Sequence, residues 1–161
     1  FLSLLSDRDR GLTMQTRIHV QHEDFDLNAE VANLTMDGEA GAVASFTGHV
    51  RKEGDLSTLT LEHYPHMTEA EITRIVSEAG TRWPLTGVTV IHRVGSLKPG
   101  DRIVLVAVAS QHRHAAFQAC EFLMDFLKTH APFWKEEARG DAHHWVEHRH
   151  SDDDAAKRWK K

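Results

Sequence analysis

The stretch between residues 110 and 137 constrains the fold of this chain more than any other, because it combines a regular apolar pattern with charged residues at both ends. Its apolar residues recur at the three-to-four spacing of a buried helical face: Ala116, Ala119, Cys120, Leu123, Phe126 and Leu127. The opposite stripe is polar and includes Lys128. The pattern predicts an amphipathic helix of about four turns.

The C-terminal end of this helix carries two lysines. Pro132 cannot donate an amide hydrogen bond and restricts the residue before it, so the helix should end near Thr129 or His130. Lys128 then lies in the last helical turn, and Lys135 lies just beyond a stiff corner made by the proline. Both lysines are therefore candidate functional residues.

The N-terminal end of the helix is also cationic. His112 and Arg113 stand between an apolar run at 103–109 and the first helical turn, where free backbone amides attract anions. Two interpretations of the charges at the two ends remain open from the pattern alone. In the first, they complement the helix dipole or are solvated surface charges. In the second, they bind an anionic ligand.

Length and composition limit what such a site can belong to. With 161 residues and a hydrophobic content of 40%, the chain fits one ordinary globular domain. We expect residues 1–13, which precede the first strand-like pattern, to be a disordered extension and residues 14–161 to form the domain. A net charge of -5 argues against a general nucleic-acid binder, so any anion site should be a local pocket.

The cysteine content and the first ten residues of the sequence indicate the cellular compartment of the protein. The single cysteine, Cys120, falls on the apolar face of the predicted helix, where a small buried hydrophobic residue is expected. One cysteine excludes a disulfide framework within the chain. The apolar run at residues 1–5 is too short for the core of a signal peptide, and charged residues follow at 7–10. We therefore expect a cytoplasmic protein.

The remaining patterns predict an α+β fold with a largely antiparallel sheet around the central amphipathic helix. Strand-like segments occupy residues 16–21, 41–50, 56–64, 88–94, 102–110, 135–138 and 145–148. The turn signal at 52–55 predicts that the second and third of these form a hairpin, and the last two should form another. Helical patterns occupy 26–36 and a short final segment from Ser151. Thr68 and Glu71 have the spacing of a capping box, which predicts a further helix beginning at Glu69.

Histidine is unusually frequent, with 13 residues, and four of them cluster near the end of the chain: His143, His144, His148 and His150. Their spacing matches no HExxH helix or other pattern that fixes metal ligands on one face. We favour solvated surface histidines, with a histidine-based metal protein as the alternative.

Five motifs, in order along the chain, carry a resemblance to a known family. They are FTGHVR at 46–51, LEHYP at 61–65, IHRVG at 91–95 with PGD at 99–101, SQHR at 110–113, and LKTHAPFWK at 127–135. Together with AAKRW at 155–159, this set resembles the large, catalytic subunit of molybdopterin synthase. The resemblance spans residues 16–159 and favours the second interpretation of the lysines.

The resemblance implies an α/β hammerhead fold and a homodimer of large subunits within a heterotetramer. The implied partner is a small ubiquitin-like sulfur carrier whose C-terminal Gly-Gly ends in a thiocarboxylate. The implied reaction transfers its sulfur to cyclic pyranopterin monophosphate and forms the dithiolene of molybdopterin. No metal or other cofactor is implied at this step, because molybdenum enters the pathway later.

The resemblance also assigns site residues by position. Lys128 and Lys135 match the catalytic lysines. The substrate contacts and pocket lining match His49, Val50, Arg51, His112, Arg113, Glu136 and Glu137, although many relatives have lysine in place of His49. Arginine forks suit an anionic pterin phosphate, and a lysine can stabilise charge on an acyl oxygen. The alternative function is a non-catalytic relative that only binds a phosphorylated pterin-like ligand.

Overall fold

The computed structural model describes residues 14–146 and 150–160. These residues form, in order, β1 (Gln15–Gln21), α1 (Leu27–Thr35), β2 (Ala42–His49), β3 (Leu56–His63), α2 (Met67–Arg82), β4 (Leu85–Arg93), β5 (Gly95–Leu97), β6 (Arg102–Ser110), α3 (Arg113–Thr129), β7 (Phe133–Arg139), β8 (Ala142–Trp145) and α4 (His150–Lys157). The predicted extension at residues 1–13 lies outside the described residues, as does His148.

The strands of the described residues form two four-stranded sheets. The first has the order β1-β4-β6-β2, and the second has the order β5-β3-β7-β8. Only the β1–β4 pair is parallel among these pairings, and the others are antiparallel. The predicted α+β class with largely antiparallel pairing is therefore confirmed. The last hairpin also forms, from β7 and β8, but its second strand begins at Ala142, three residues before the predicted start at 145.

The other predicted hairpin, between residues 41–50 and 56–64, is wrong. Both segments are strands, but β2 pairs with β6 in the first sheet, whereas β3 pairs with β5 and β7 in the second. The reason is tertiary, because Leu59 and Leu61 of β3 are buried with Leu97 in a small apolar cluster of their own. A turn signal marks where the chain changes direction, but it does not select the strand's partner.

The central helix α3 covers one face of the first sheet. Its predicted apolar face is buried except at Phe126, which is partly buried, and Phe122 joins it as a fully buried side chain. The helix packs with α2 on the valines of β4 and β6, while α1 covers the opposite face of the sheet. Helix α3 ends at Thr129, as the sequence predicts, and begins at Arg113, which the sequence pattern had placed just before the first turn. No helix among the described residues has the length and apolar character needed to cross a membrane.

The start of α2 corrects the predicted capping box. The helix begins at Met67, and the buried Thr68 hydroxyl accepts a hydrogen bond from the Tyr64 amide at 3.2 Å. The same hydroxyl donates to the carbonyl of Pro132 at 3.0 Å. Glu71 instead pairs with Arg74. The Thr68 side chain thus serves a tertiary contact, and this contact fixes the corner between α3 and β7.

Candidate active site

A cavity of about 760 Å³ lies where the end of α3, strand β7 and the segment after β2 meet. Its apolar lining includes Leu127 and Phe133. Its lining residues with charged or imidazole side chains are His49, Arg51, Glu53, His92, Lys128, Lys135 and Glu137. Residues that are far apart in the sequence therefore share one site.

The two candidate catalytic lysines reach the cavity from either side of the proline corner. Lys128 is exposed in the last turn of α3, which closes with a hydrogen bond of 2.8 Å from the His130 amide to the Phe126 carbonyl. Lys135 lies on β7, opposite Leu61 of β3. Both lysines line the cavity. The bond from Thr68 to the corner keeps the end of the helix and the start of the strand in a fixed relation.

Arg51 belongs to a network of charges at the cavity mouth. It pairs with the carboxylate of Glu53, and Glu53 also lies 3.7 Å from Arg139. Arg139 donates to Glu137 at 3.2 Å. The Arg51 side chain is 72% exposed, so its guanidinium is available to an anion that enters from solvent.

His49 and Val50 line the cavity beside Arg51. Val50 is buried, and its amide donates to the Asp101 carbonyl at 2.9 Å, which anchors the backbone at this point. The His49 ring lies 3.1 Å from the Thr47 hydroxyl. A Cβ atom at Gly48 would lie 2.7 Å from a methyl carbon of Val104, so the close approach of β2 and β6 here requires glycine.

Three predicted site residues are not in the lining of this cavity: His112, Arg113 and Glu136. His112 occupies the N-cap position at the other end of α3 without a side-chain capping hydrogen bond, and Arg113 is the first residue of the helix there. The helical rise puts Arg113 about 22 Å from Lys128 along the axis, so the two cannot contact one small ligand within a single chain. Glu136 pairs with His143 at 2.6 Å, and it alternates on β7 with the cavity-lining Lys135 and Glu137.

One lining residue, His92, received no role from the sequence. It is buried on β4, and its ring stacks on Phe133 with centroids 3.8 Å apart. Burial, together with the nearby charges of Lys135 and Lys128, lowers the pKa of His92 to about 3. A histidine directly after the apolar run of a predicted strand was the available signal, and it is visible in the IHRVG motif.

The site carries the chemistry of an anion pocket. Cationic side chains from three segments converge on it, and carboxylates at its rim pair with arginines. Such donors can hold a phosphate and can stabilise negative charge that develops on a reacting oxygen. Within residues 14–146 and 150–160, no group of three or more His, Cys, Asp or Glu side chains is placed to hold a metal ion.

Comparisons with known proteins agree with this chemistry. Residues 20–130 match the family model described as MoaE protein. The chain is 57% identical over 147 residues to the molybdopterin synthase catalytic subunit of Mesorhizobium japonicum, covering 89% of this chain and 92% of that protein. It is 54% identical over 148 residues to the protein of the same name in Escherichia coli, covering 90% and 99% of the two chains. The solved structure of the molybdopterin biosynthesis MoaE protein from Burkholderia ambifaria has a TM-score of 0.79 at 50% identity, over 90% of this chain and 98% of that one.

Proposed function

The chain belongs to the MoaE family, and we propose that it works as the catalytic subunit of a molybdopterin synthase, with its reaction in the cavity between α3 and β7. The activity is sulfur transfer in molybdenum cofactor biosynthesis. The observation that supports this location is the convergence of Arg51, Lys128 and Lys135 on one cavity from three separate segments.

The substrate in this proposal is cyclic pyranopterin monophosphate. A cavity of about 760 Å³ is within the usual size range of small-molecule sites. Arg51 is exposed at the cavity mouth and offers a planar fork of donors that suits a phosphate. The backbone at Val50 is fixed by its hydrogen bond to Asp101, so this arginine projects from a rigid base.

The sulfur donor in this proposal is the C-terminal thiocarboxylate of a small ubiquitin-like partner. Donor and substrate are both anions, and fixed positive charge is needed to bring them together. Transfer of the sulfur builds negative charge on an acyl oxygen, which Lys128 stabilises or protonates. Lys135 contacts the bound pterin and contributes to both binding and rate. The chain's own cysteine is not needed, because the partner delivers the sulfur.

His112 and Arg113 enter this proposal through a second copy of the chain. They lie at the opposite end of α3 from Lys128, too far to serve the same cavity in one protomer. We propose a homodimer of catalytic subunits in which the two residues of one protomer complete the substrate site of the other. Two small partners then make a heterotetramer.

Reconstitution tests the activity directly. The purified chain is incubated with the pterin precursor and the thiocarboxylated partner, and dithiolene product is measured. The matched control is the same partner with an ordinary C-terminal carboxylate, which can bind but carries no sulfur. Product that requires the thiocarboxylate is the expected result. Precursor binding without product would instead identify a non-catalytic relative. The cytoplasmic location predicted from the sequence is part of the proposal, and fractionation of the source cells tests it.

A further inference from the structure

His92 is the buried imidazole of the cavity, and no step described above uses it. It lies on β4 of the first sheet and is 9% exposed. Its ring stacks on Phe133 of β7 in the second sheet, with centroids 3.8 Å apart and planes at 17°. The stack thus joins the two sheets at the cavity wall, and it fixes the plane of the imidazole.

The hydrogen bond of the ring sets its tautomer. Nδ1 lies 2.8 Å from the backbone carbonyl oxygen of Arg93, which can only accept. Nδ1 therefore carries the proton, and the lone pair of the neutral ring is on Nε2. A neutral imidazole in this setting is a hydrogen-bond acceptor.

The surroundings keep the ring neutral. Burial lowers its pKa from 6.5 to about 3, and the charged or titratable groups that face it add to the effect. These groups are Lys135 of β7, Lys128 of α3 and His63 of β3. A group that resists protonation this strongly is a poor general base at neutral pH. In the reaction, its neutral ring is suited to act as a hydrogen-bond acceptor through the lone pair.

Strand geometry puts Lys135 on the side of β7 that faces His92. Alternate residues of a strand project from the same face, so Phe133 and Lys135 leave β7 on the same side. Phe133 lies against the imidazole, and both His92 and Lys135 line the cavity. Lys135 is also near enough for its charge to lower the pKa of His92.

We propose that His92 is a positioning residue for Lys135: its neutral imidazole accepts a hydrogen bond from the lysine ammonium through Nε2 and holds that ammonium toward the bound anions. A carboxylate in this place would also hold the lysine, but it would cancel the positive charge that the anions need. A neutral acceptor fixes the direction of the ammonium and leaves its charge intact. The expected effect of this hydrogen bond on turnover rests on the proposed sulfur transfer, whereas the hydrogen bond between His92 and Lys135 does not.

Two variants separate this role from a structural one. His92→Phe keeps the aromatic stack on Phe133 and removes both nitrogens. His92→Gln loses the stack but can present an amide oxygen near the position of Nε2. We expect His92→Phe to lower kcat by about 10²-fold, the scale of a misplaced catalytic group, and to raise KM for the precursor by a smaller factor, because Lys135 also contacts the pterin. His92→Gln should recover part of the lost kcat.

A purely structural role predicts the reverse order, because glutamine disturbs packing more than phenylalanine does. The proposal is overturned if His92→Phe turns over as well as His92→Gln or better. It is also overturned if both variants keep the kcat of wild type.

Nitrogen NMR of histidine-labelled protein tests the contact without turnover. The signals of His92 are assigned by their loss in His92→Gln. We expect a proton on Nδ1, no titration between about pH 5 and 9, and a shift of the Nε2 resonance in Lys135→Ala. A proton on Nε2, a midpoint near the ordinary value, or an Nε2 resonance that ignores Lys135→Ala would each refute the contact. If the wild-type protein makes no product, the proposed function fails, and this measurement still decides the role of His92.

Discussion

Arg139 donates a hydrogen bond of 2.7 Å to the backbone carbonyl of Glu53. The same guanidinium nitrogen lies 3.2 Å from the carboxylate of Asp55. Because Arg139 ends β7 and Glu53 follows β2, these contacts join the second sheet to the segment that carries Arg51. Arg51 pairs in turn with the Glu53 side chain. Arg51 is thus linked, through Glu53, to Arg139 on the strand that also carries Lys135.

The first prediction concerns the phosphate contact. Arg51→Ala should weaken precursor binding by about 1.5–3 kcal/mol, the range for a hydrogen bond to a charged group. Titration calorimetry with the precursor measures this. Arg74→Ala is the matched control, since Arg74 is a half-exposed arginine that pairs with Glu71 on α2, away from the cavity. If both variants bind the precursor as tightly as wild type does, Arg51 does not contact the substrate.

The second prediction concerns Lys128. Its side chain is exposed in the last turn of α3, so Lys128→Ala removes no core packing and should cost only about 0.3–1 kcal/mol of stability through the helix dipole. Loss of a donor to the developing oxyanion should instead lower turnover by about 10²–10³-fold. Lys157→Ala, in the last turn of α4, is the control for a helix-end lysine. Single-turnover assays and thermal unfolding separate the two effects.

A rate for Lys128→Ala within a few-fold of wild type, in folded protein that still binds the small partner, would contradict the assignment. The variant Lys128→Arg distinguishes a purely electrostatic role of Lys128 from proton transfer. Guanidinium remains protonated, so partial activity in this variant indicates that charge alone is needed, whereas its absence indicates proton transfer.

The third prediction tests the shared site of the homodimer. Lys128→Ala and Arg113→Ala chains should each be impaired, and co-expression of the two with different tags should restore activity. If each site uses Lys128 of one protomer and Arg113 of the other, a mixed dimer has one intact site. Random pairing then gives about a quarter of wild-type activity at limiting precursor.

Light scattering at micromolar concentration provides the independent check of the dimer. A monomer mass would refute it. A dimer whose mixed form shows no recovered activity would mean that Lys128 and Arg113 of the same protomer serve one site, contrary to the length of α3.

The fourth prediction concerns acid stability. The Arg102 side chain, by its hydrogen bonds, lowers the pKa of Asp24 from 3.8 to about 2. Since the folded value lies below the ordinary one, the pair stabilises the fold fully above about pH 4, and this contribution is lost as the pH falls toward 2. Half of the Asp24 side chain is exposed, so solvent keeps the effect small. A double-mutant cycle with Asp24→Asn and Arg102→Ala should show coupling at pH 7 that is much reduced near pH 2, and coupling at pH 2 as large as at pH 7 would refute the assignment.

The fifth prediction concerns the cysteine. Burial raises the pKa of the Cys120 thiol to about 11, so the folded protein should react slowly with thiol reagents at neutral pH. Cys120→Ala should retain sulfur transfer, because the thiol lies in the core under α3 and the donor is the partner's thiocarboxylate. Loss of product in a folded Cys120→Ala variant would show that the chain itself carries sulfur.

The sequence alone determined the local elements and the family. Helix α3 ends where Pro132 predicts, because the missing amide and the restricted preceding residue are local properties. The hairpin of β7 and β8 followed from the turn residues between them. Five short motifs were enough to indicate the family, and the lysines Lys128 and Lys135 came with them.

Only the tertiary structure decided which segments meet. The sequence pattern offered cations at both ends of α3, and the fold brings one end, with Lys128, to the cavity while His112 and Arg113 lie at the other. In the folded chain β3 pairs with β7 and not with β2, and the ring of His92 stacks on Phe133. Side-chain periodicity indicates which face of a helix or strand is apolar. The element that packs against that face is selected by contacts between residues that are distant along the chain, and the pattern of a single sequence does not indicate those contacts.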